Sequence, residues 1–315
     1  MTTSTTHTFE DPFFIIGSPR SGTTLLRLML TSHPHLVVPP ECGFMVWLHP
    51  MFGQWKAREF SDPDYVSQFA QAVASSRKFE TWGISASQIT EAIIHDHPDS
   101  YGYACACVYH QFCIRAGKST IYWGDKNNYY LSKIALIRTI IPHARFIHIV
   151  RDGRDIACSY REVMRIKSDS PYRPLLPQET NEIAKRWVHD IRTIQRQGKT
   201  MGADTFLELR YEDLTSDPRT ELLRICEWLG VQFAPEMLHF HHKNLSHHLE
   251  PEATLDWKRR TLEPVTQDTV GRYVWMLDQS DIIKFESIAR EELRHYGYLQ
   301  QDRSFTEPSE STKQV

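Results

Sequence analysis

The string Gly17-Ser18-Pro19-Arg20-Ser21-Gly22-Thr23-Thr24 gathers one cation, a run of hydroxyls and two glycines. An apolar run, Phe13-Phe14-Ile15-Ile16, precedes it, and Leu25, Leu28 and Met29 follow at helical spacing. Strand, glycine loop and helix in that order are the setting of a phosphate loop. Backbone N–H groups at a helix start point outward, and the helix dipole favours an anion there. Ser21, Thr23 and Thr24 add side-chain donors, and Gly22 lets the backbone come close to the bound group. Nucleotide triphosphatases carry G-x-x-x-x-G-K-[ST]. Here Thr23 stands where their lysine would be, and the positive charge sits earlier, on Arg20. That lysine works on the β- and γ-phosphates beside a magnesium ion. Its replacement favours a shorter, metal-free anion such as a phosphosulfate. The plain alternative is a turn joining strand to helix.

A second constellation is Ile149-Val150-Arg151-Asp152-Gly153-Arg154-Asp155, with Ser159 following. With a helix starting near Asp152, Ser159 lies about two turns in. Arg151 at the strand end and Ser159 on that helix could clamp another phosphate, because a guanidinium offers a planar fork to phosphate oxygens. Two such sites at two strand ends describe one ligand with a phosphate at each end. A solvated, charged turn is the alternative.

The elements that must position these residues read as an α/β fold. Buried strands are expected at Phe13–Ile16, Leu36–Val38, Ala144–Val150 and Thr205–Arg210. Helices are expected at Thr24–Thr31, at Arg219–Leu229 between Asp217-Pro218 and Gly230, and at Gln279–Tyr296. Strands alternating with helices predict a P-loop-like central parallel sheet flanked by helices. Residues 51–118 break this rhythm and read as a helical insertion over the active site, an acceptor cap. Their aromatics, with Trp47 just before them, could hold an acceptor or fill a core. One domain over 9–300 is expected, with flexible tails at 1–8 and 303–315. The chain has 315 residues, 41% hydrophobic and 24% charged, enough for a sizeable core. A net charge of −3 gives no sign of nucleic-acid binding. No stretch approaches the ~18–20 apolar residues of a membrane helix, and no signal peptide is visible. Six scattered cysteines suit free thiols and a cytoplasmic location.

Pro-Arg-Ser-Gly-Thr-Thr-Leu-Leu and Val150-Arg151-Asp152-Gly153-Arg154-Asp155-Ile156-Ala157-Cys158-Ser159-Tyr160 resemble two signatures of sulfotransferases that use 3′-phosphoadenosine 5′-phosphosulfate. Leu209-Arg210-Tyr211-Glu212-Asp213-Leu214, followed by Asp217-Pro218, resembles a third segment of that family. Order and spacing match from about Phe13 to Tyr298, most closely in the bacterial branch similar to tyrosylprotein sulfotransferases. The resemblance implies that Arg20, Ser21, Gly22, Thr23 and Thr24 hold the 5′-phosphosulfate. It implies that Arg151 and Ser159 hold the 3′-phosphate and that Tyr211 contacts the nucleotide. Adenosine 3′,5′-bisphosphate would be the product, with no metal required. In that branch a carboxylate follows 21 residues after the loop arginine, which is Glu41 here. The branch differs from phenol and steroid sulfotransferases, whose base is a histidine.

Sulfuryl transfer needs a base for the acceptor proton, and Glu41 beside Pro39-Pro40 is the candidate, with His33, His35 and His49 as rivals. Arg20 and Lys126 would stabilise charge on the leaving phosphate. Lys258, Arg259 and Arg260 form a basic stretch ahead of Gly271-Arg272-Tyr273. By resemblance one of these cations, Lys258 and Arg259 foremost, closes the nucleotide site on the 3′-phosphate, and a solvated basic turn is the alternative. The histidines at 239, 241, 242, 247 and 248 match no established zinc spacing. The expected activity is in-line transfer to a hydroxyl, or less readily an amine, on a small molecule, glycan, lipid or peptide. A P-loop kinase or NTPase, and a nucleotide-binding relative without catalysis, are the competing readings.

Overall fold

The computed structural model describes residues 12–118 and 122–299. The expected tails at 1–8 and 303–315 lie outside the described residues. Five strands form the sheet: β1 (Phe13–Ile16), β2 (Leu36–Val37), β3 (Tyr122–Lys126), β4 (Arg145–Val150) and β5 (Phe206–Arg210). Their order is β2-β3-β1-β4-β5, and every pairing is parallel. The P-loop-like parallel sheet expected from the sequence is present. Four strands fall where the apolar runs place them, and β3 is the addition.

Side chains on β1 alternate between faces, as a pleated strand requires. Phe13 and Ile15 enter a core with Leu26, Met29, Leu222 and Ile225, which come from helices Thr23–Thr31 and Pro218–Leu229. Phe14 and Ile16 enter the opposite core with Phe44, Trp82, Tyr109 and Tyr130. A third cluster packs helices Gly153–Arg165, Thr180–Gly198 and Gln279–His295 around Trp187 and Phe285. Both faces of the sheet are covered, which suits the wholly apolar β1 at its centre.

Between β2 and β3 the chain runs through short turns and helices Pro63–Ala74, Ala86–Asp96 and Tyr101–Arg115. Asp62 caps the first with Pro63 at its start, and Ser85 with Gln88 forms a capping box on the second. Trp55, Trp82 and Tyr101 of this segment are core residues, within 4% of full burial.

In an open parallel sheet the ligand crevice lies beyond the carboxyl ends of the strands. β1 ends into Gly17, β4 ends into Arg151, β5 ends into Tyr211, and Lys126 is the last residue of β3. The chain leaving β2 delivers Glu41. The topology therefore brings five chemically distinct residues, widely separated in sequence, to one edge.

Candidate active site

A single cavity is lined by Arg20, Gly22, Thr23, Thr24, Glu41, Lys126, Arg151, Ser159, Tyr211 and Lys258, ten of the residues singled out from sequence. Two others are not in its wall. The Ser21 hydroxyl is buried and has no hydrogen-bond partner among the described residues. Arg259 carries a side chain 79% exposed and 3.8 Å from Asp256. In place of Arg259 the wall takes Arg260 and Arg272.

The loop is shaped for close approach. Gly22 has φ 101°, and a β-carbon there would lie 2.4 Å from the Tyr211 ring. Helix Thr23–Thr31 starts from Gly22 with no side-chain cap, so its first-turn N–H groups remain open to an anion. Thr23, in the NTPase lysine position, donates its hydroxyl to Asn128 Oδ1 at 3.1 Å.

Arg20 and Arg151 stand at the ends of neighbouring strands. Arg20 Nε donates to Ser159 Oγ at 3.0 Å. Arg151 donates to the Arg20 carbonyl at 3.1 Å and the Thr269 carbonyl at 2.6 Å, and its guanidinium lies 4.4 Å from the Tyr211 ring centre. Tyr211 in turn shares a 2.7 Å hydrogen bond with the Thr269 hydroxyl. Ser159 reaches the cavity because Asp152 caps helix Gly153–Arg165, accepting from the Arg154 N–H. Asp155 on the same helix accepts from the N–H groups of Gly271 at 2.7 Å and Tyr273 at 3.0 Å. Those bonds draw Arg272 over the cavity, where it pairs with Glu162 at 2.7 Å.

Crowded cations make this wall a place for an anion. Burial, together with Arg151 and Arg272, pushes the Arg20 guanidinium down to about 10. The Nε atoms of Arg151 and Arg272 are buried with no acceptor among the described residues. A phosphate would supply acceptors and offset the mutual repulsion. This chemistry fits a nucleotide with a phosphate at each end.

The second half of the cavity is a carboxylate held by amines. Glu41 bonds Lys126 through Oε1 and Lys78 through Oε2, the latter at 2.8 Å. Burial raises the Glu41 carboxyl, but Lys126, Lys258 and Lys78 outweigh it and hold the group well below the ordinary range. Burial, with repulsion from Lys258, pushes Lys126 down to about 8 even though Glu41 opposes the shift. The two directions are compatible, because Glu41 is acted on by three ammonium groups while Lys126 is desolvated and repelled by Lys258. Lys258 bonds Glu250, which also pairs with the buried Arg27 at 2.6 Å. Beneath Lys126, the buried Asp125 accepts from the Tyr109 and Tyr130 hydroxyls. The Tyr130 hydroxyl also lies 3.3 Å from the Cys42 carbonyl, beside Glu41.

The rival histidines lie outside the wall. His33 uses both ring nitrogens, one on the Gln232 carbonyl at 2.7 Å and one on the His35 N–H at 3.0 Å. His49 packs edge-on against Tyr101. His239 and His242 stack on one another, and their neighbour Phe240 lines the cavity. Lys78, Asn128, Glu162 and Thr269 line it without having been singled out by any sequence signal.

A family model described as "Sulfotransferase family" matches residues 12–235. The chain is 22% identical over 290 residues to protein-tyrosine sulfotransferase A of Caenorhabditis elegans, covering 91% of this chain and 67% of that enzyme. It is 24% identical over 250 residues to the omega-hydroxy-beta-dihydromenaquinone-9 sulfotransferase of Mycobacterium bovis, covering 70% of this chain and 63% of that one. The sulfotransferase domain from the curacin biosynthetic pathway shares the fold, with a TM-score of 0.53 at 18% identity over 88% of this chain and 96% of that domain. With its phosphate loop, its paired arginines and a family match spanning Arg20 to Tyr211, the chain belongs to the Sulfotransferase family.

Proposed function

We propose that the chain transfers the sulfuryl group in line to an acceptor hydroxyl, with Glu41 taking the acceptor's proton. The observation that carries this is one cavity holding both a bank of arginines and a carboxylate bonded to Lys126. The donor supplies the sulfuryl group and a leaving bisphosphate. Arg20 and the open N–H groups of helix Thr23–Thr31 bind its 5′ end, and Arg151 with Ser159 binds its 3′-phosphate. Lys126 and Arg20 offset the negative charge that grows on the leaving phosphate. Lys258 and Arg272, rather than Arg259, close the site. Both relatives described above carry names that specify a hydroxyl-bearing acceptor, a tyrosine and an omega-hydroxy quinol. That shared group supports a hydroxyl over an amine here, on a small molecule, glycan, lipid or peptide.

Residues 9–300 act as one catalytic unit, and 51–118 serve the acceptor side through Lys78, the one residue of that insertion in the cavity wall. Among the described residues no helix is long and apolar enough to cross a membrane. Six free, buried cysteines support a reducing, cytoplasmic setting.

Calorimetric titration separates this reading from a kinase or NTPase. Adenosine 3′,5′-bisphosphate is expected to bind without added metal, and ATP with magnesium to bind far more weakly. The reverse order overturns the reading. Turnover is then sought with labelled sulfate donor over phenolic, carbohydrate, lipid and peptide hydroxyls.

The two titrating groups also predict the pH dependence. Glu41 must be unprotonated, so activity is lost only as pH falls through a value well below 4.5, the ordinary position of that carboxyl. Lys126 must be protonated, so kcat/KM for the donor falls as pH rises through about 8. This ratio reports the free enzyme. Lys126→Arg is expected to shift the basic limb upward, and an unmoved limb would assign it to another group.

A further inference from the structure

Four non-glycine residues among those described have positive φ: Arg20 (69°), Lys78 (72°), His97 (51°) and His248 (49°). His97 and His248 sit at helix C-termini, where left-handed geometry commonly ends a helix. Arg20 and Lys78 end no helix, and both line the cavity. A β-carbon makes this backbone region unfavourable, and such strain collects where function requires a side chain to be aimed.

Lys78 lies between helix Pro63–Ala74 and the 3₁₀ turn Phe79–Trp82. That turn is tied to the segment carrying Glu41, because Trp82 Nε1 donates to the Pro40 carbonyl at 2.9 Å. The Tyr172 ring lies 5.7 Å from the Lys78 ammonium and 5.2 Å from the Arg77 guanidinium, and its hydroxyl donates to Glu80. From this braced position Lys78 reaches Glu41 Oε2, while Lys126 takes the other oxygen. A carboxylate has about four acceptor sites. Two lysines therefore fix its plane and still leave capacity for an acceptor hydroxyl.

We propose that Lys78 is a positioning residue of the transfer reaction, holding the Glu41 carboxylate flat against Lys126 and aimed into the cavity. The helical insertion thereby sets the state of the base from outside the nucleotide-binding sheet. This rests on Glu41 being the base. The charged groups facing Glu41 are Lys126 from β3, Lys258 from the segment after β5 and Lys78 from the insertion, with Asp125 and Glu250 as the nearby carboxyls. Removing Lys78 frees one carboxylate oxygen to rotate and leaves burial less opposed.

The test compares Lys78→Met, Lys78→Arg, Lys78→Gly and Glu41→Gln in kcat, kcat/KM against pH, affinity for adenosine 3′,5′-bisphosphate and melting temperature. Lys78→Met is expected to keep bisphosphate affinity within about threefold and to lower kcat about tenfold. Its acid limb should move up by roughly one pH unit, as expected for loss of a neighbouring opposite charge. Lys78→Arg should restore most of the limb. Lys78→Gly suits the left-handed backbone. It should melt no lower than Lys78→Met while showing the same limb shift, so a loss of activity through misfolding is recognised. Full activity in Lys78→Met, or a lower kcat with the acid limb unmoved, overturns the proposal and leaves the base assignment standing. Retained turnover in Glu41→Gln overturns the base assignment itself, a result no Lys78 variant can produce.

Discussion

Replacing Glu41 with glutamine is expected to lower kcat by about 10²–10⁴ while adenosine 3′,5′-bisphosphate binds within about threefold of its original affinity. The substitution keeps the side chain's size and one acceptor oxygen but removes the negative charge. Lys126 and Lys78 then lose the carboxylate they bond, while Lys258 keeps Glu250. Some loss of stability follows, because buried cations without a counter-charge are unfavourable. The proposed nucleotide wall of Arg20, Arg151 and Ser159 is untouched, so binding and turnover separate. A carboxylate held so far down is a weak base toward a free alcohol. On the proposed mechanism the proton therefore moves late, after the acceptor oxygen has begun to bond sulfur and has become more acidic. The proposed base needs to be ionised and in place, and the Lys126 and Lys78 ion pairs suit both requirements. Stopped-flow or steady-state turnover with labelled donor reads kcat, and equilibrium titration reads binding. Turnover within threefold of the original would remove Glu41 from the chemistry.

Much of this site was legible in the sequence because phosphate binding leaves local signatures. Gly17 to Thr24 and Arg151 to Ser159 each combine a strand end, a turn and a helix start, and that combination is contiguous. The apolar strands β1 and β4 were equally plain, being buried on both faces. β3 was not, since Tyr-Trp-Gly-Asp-Lys carries a glycine and two charges in five residues. Those charges are there because the strand's end serves the site: Lys126 meets Glu41, and Asp125 receives two tyrosine hydroxyls. Lys78 had no sequence signal at all. Its meaning depends on a left-handed backbone and on contacts across 37 residues of chain. Arg259 and Arg260 are adjacent and chemically alike. The turn of 3₁₀ helix Arg259–Leu262 decides which faces the cavity, and that register is set by tertiary packing. The aromatic insertion likewise read as acceptor-binding or core, and Trp55, Trp82 and Tyr101 are core.

Arg151→Ala is expected to weaken adenosine 3′,5′-bisphosphate binding by about 10²-fold or more, from hydrogen bonds to a charged partner at ~1.5–3 kcal/mol each. The size of the loss does not by itself locate the phosphate. Arg151 also donates to the carbonyls of Arg20 and Thr269 and stacks on Tyr211, so its removal loosens the wall. The decisive comparison uses a second ligand, adenosine 5′-phosphate, which lacks the 3′-phosphate. The original protein should prefer the bisphosphate strongly. If Arg151 holds the 3′-phosphate, the alanine variant loses most of that preference, because both ligands now bind through the 5′ end alone. If Arg151 only supports the loop, both affinities fall together and the preference survives, and the assignment fails. Arg151→Lys sharpens the comparison. It keeps the charge but not the planar fork, so it should recover part of the preference and little of the contact to Thr269. Ser159→Ala provides the internal check. Ser159 accepts from Arg20 at 3.0 Å and lies on the same wall. It should reduce the same preference by a smaller factor, since a neutral hydroxyl contributes less than a guanidinium.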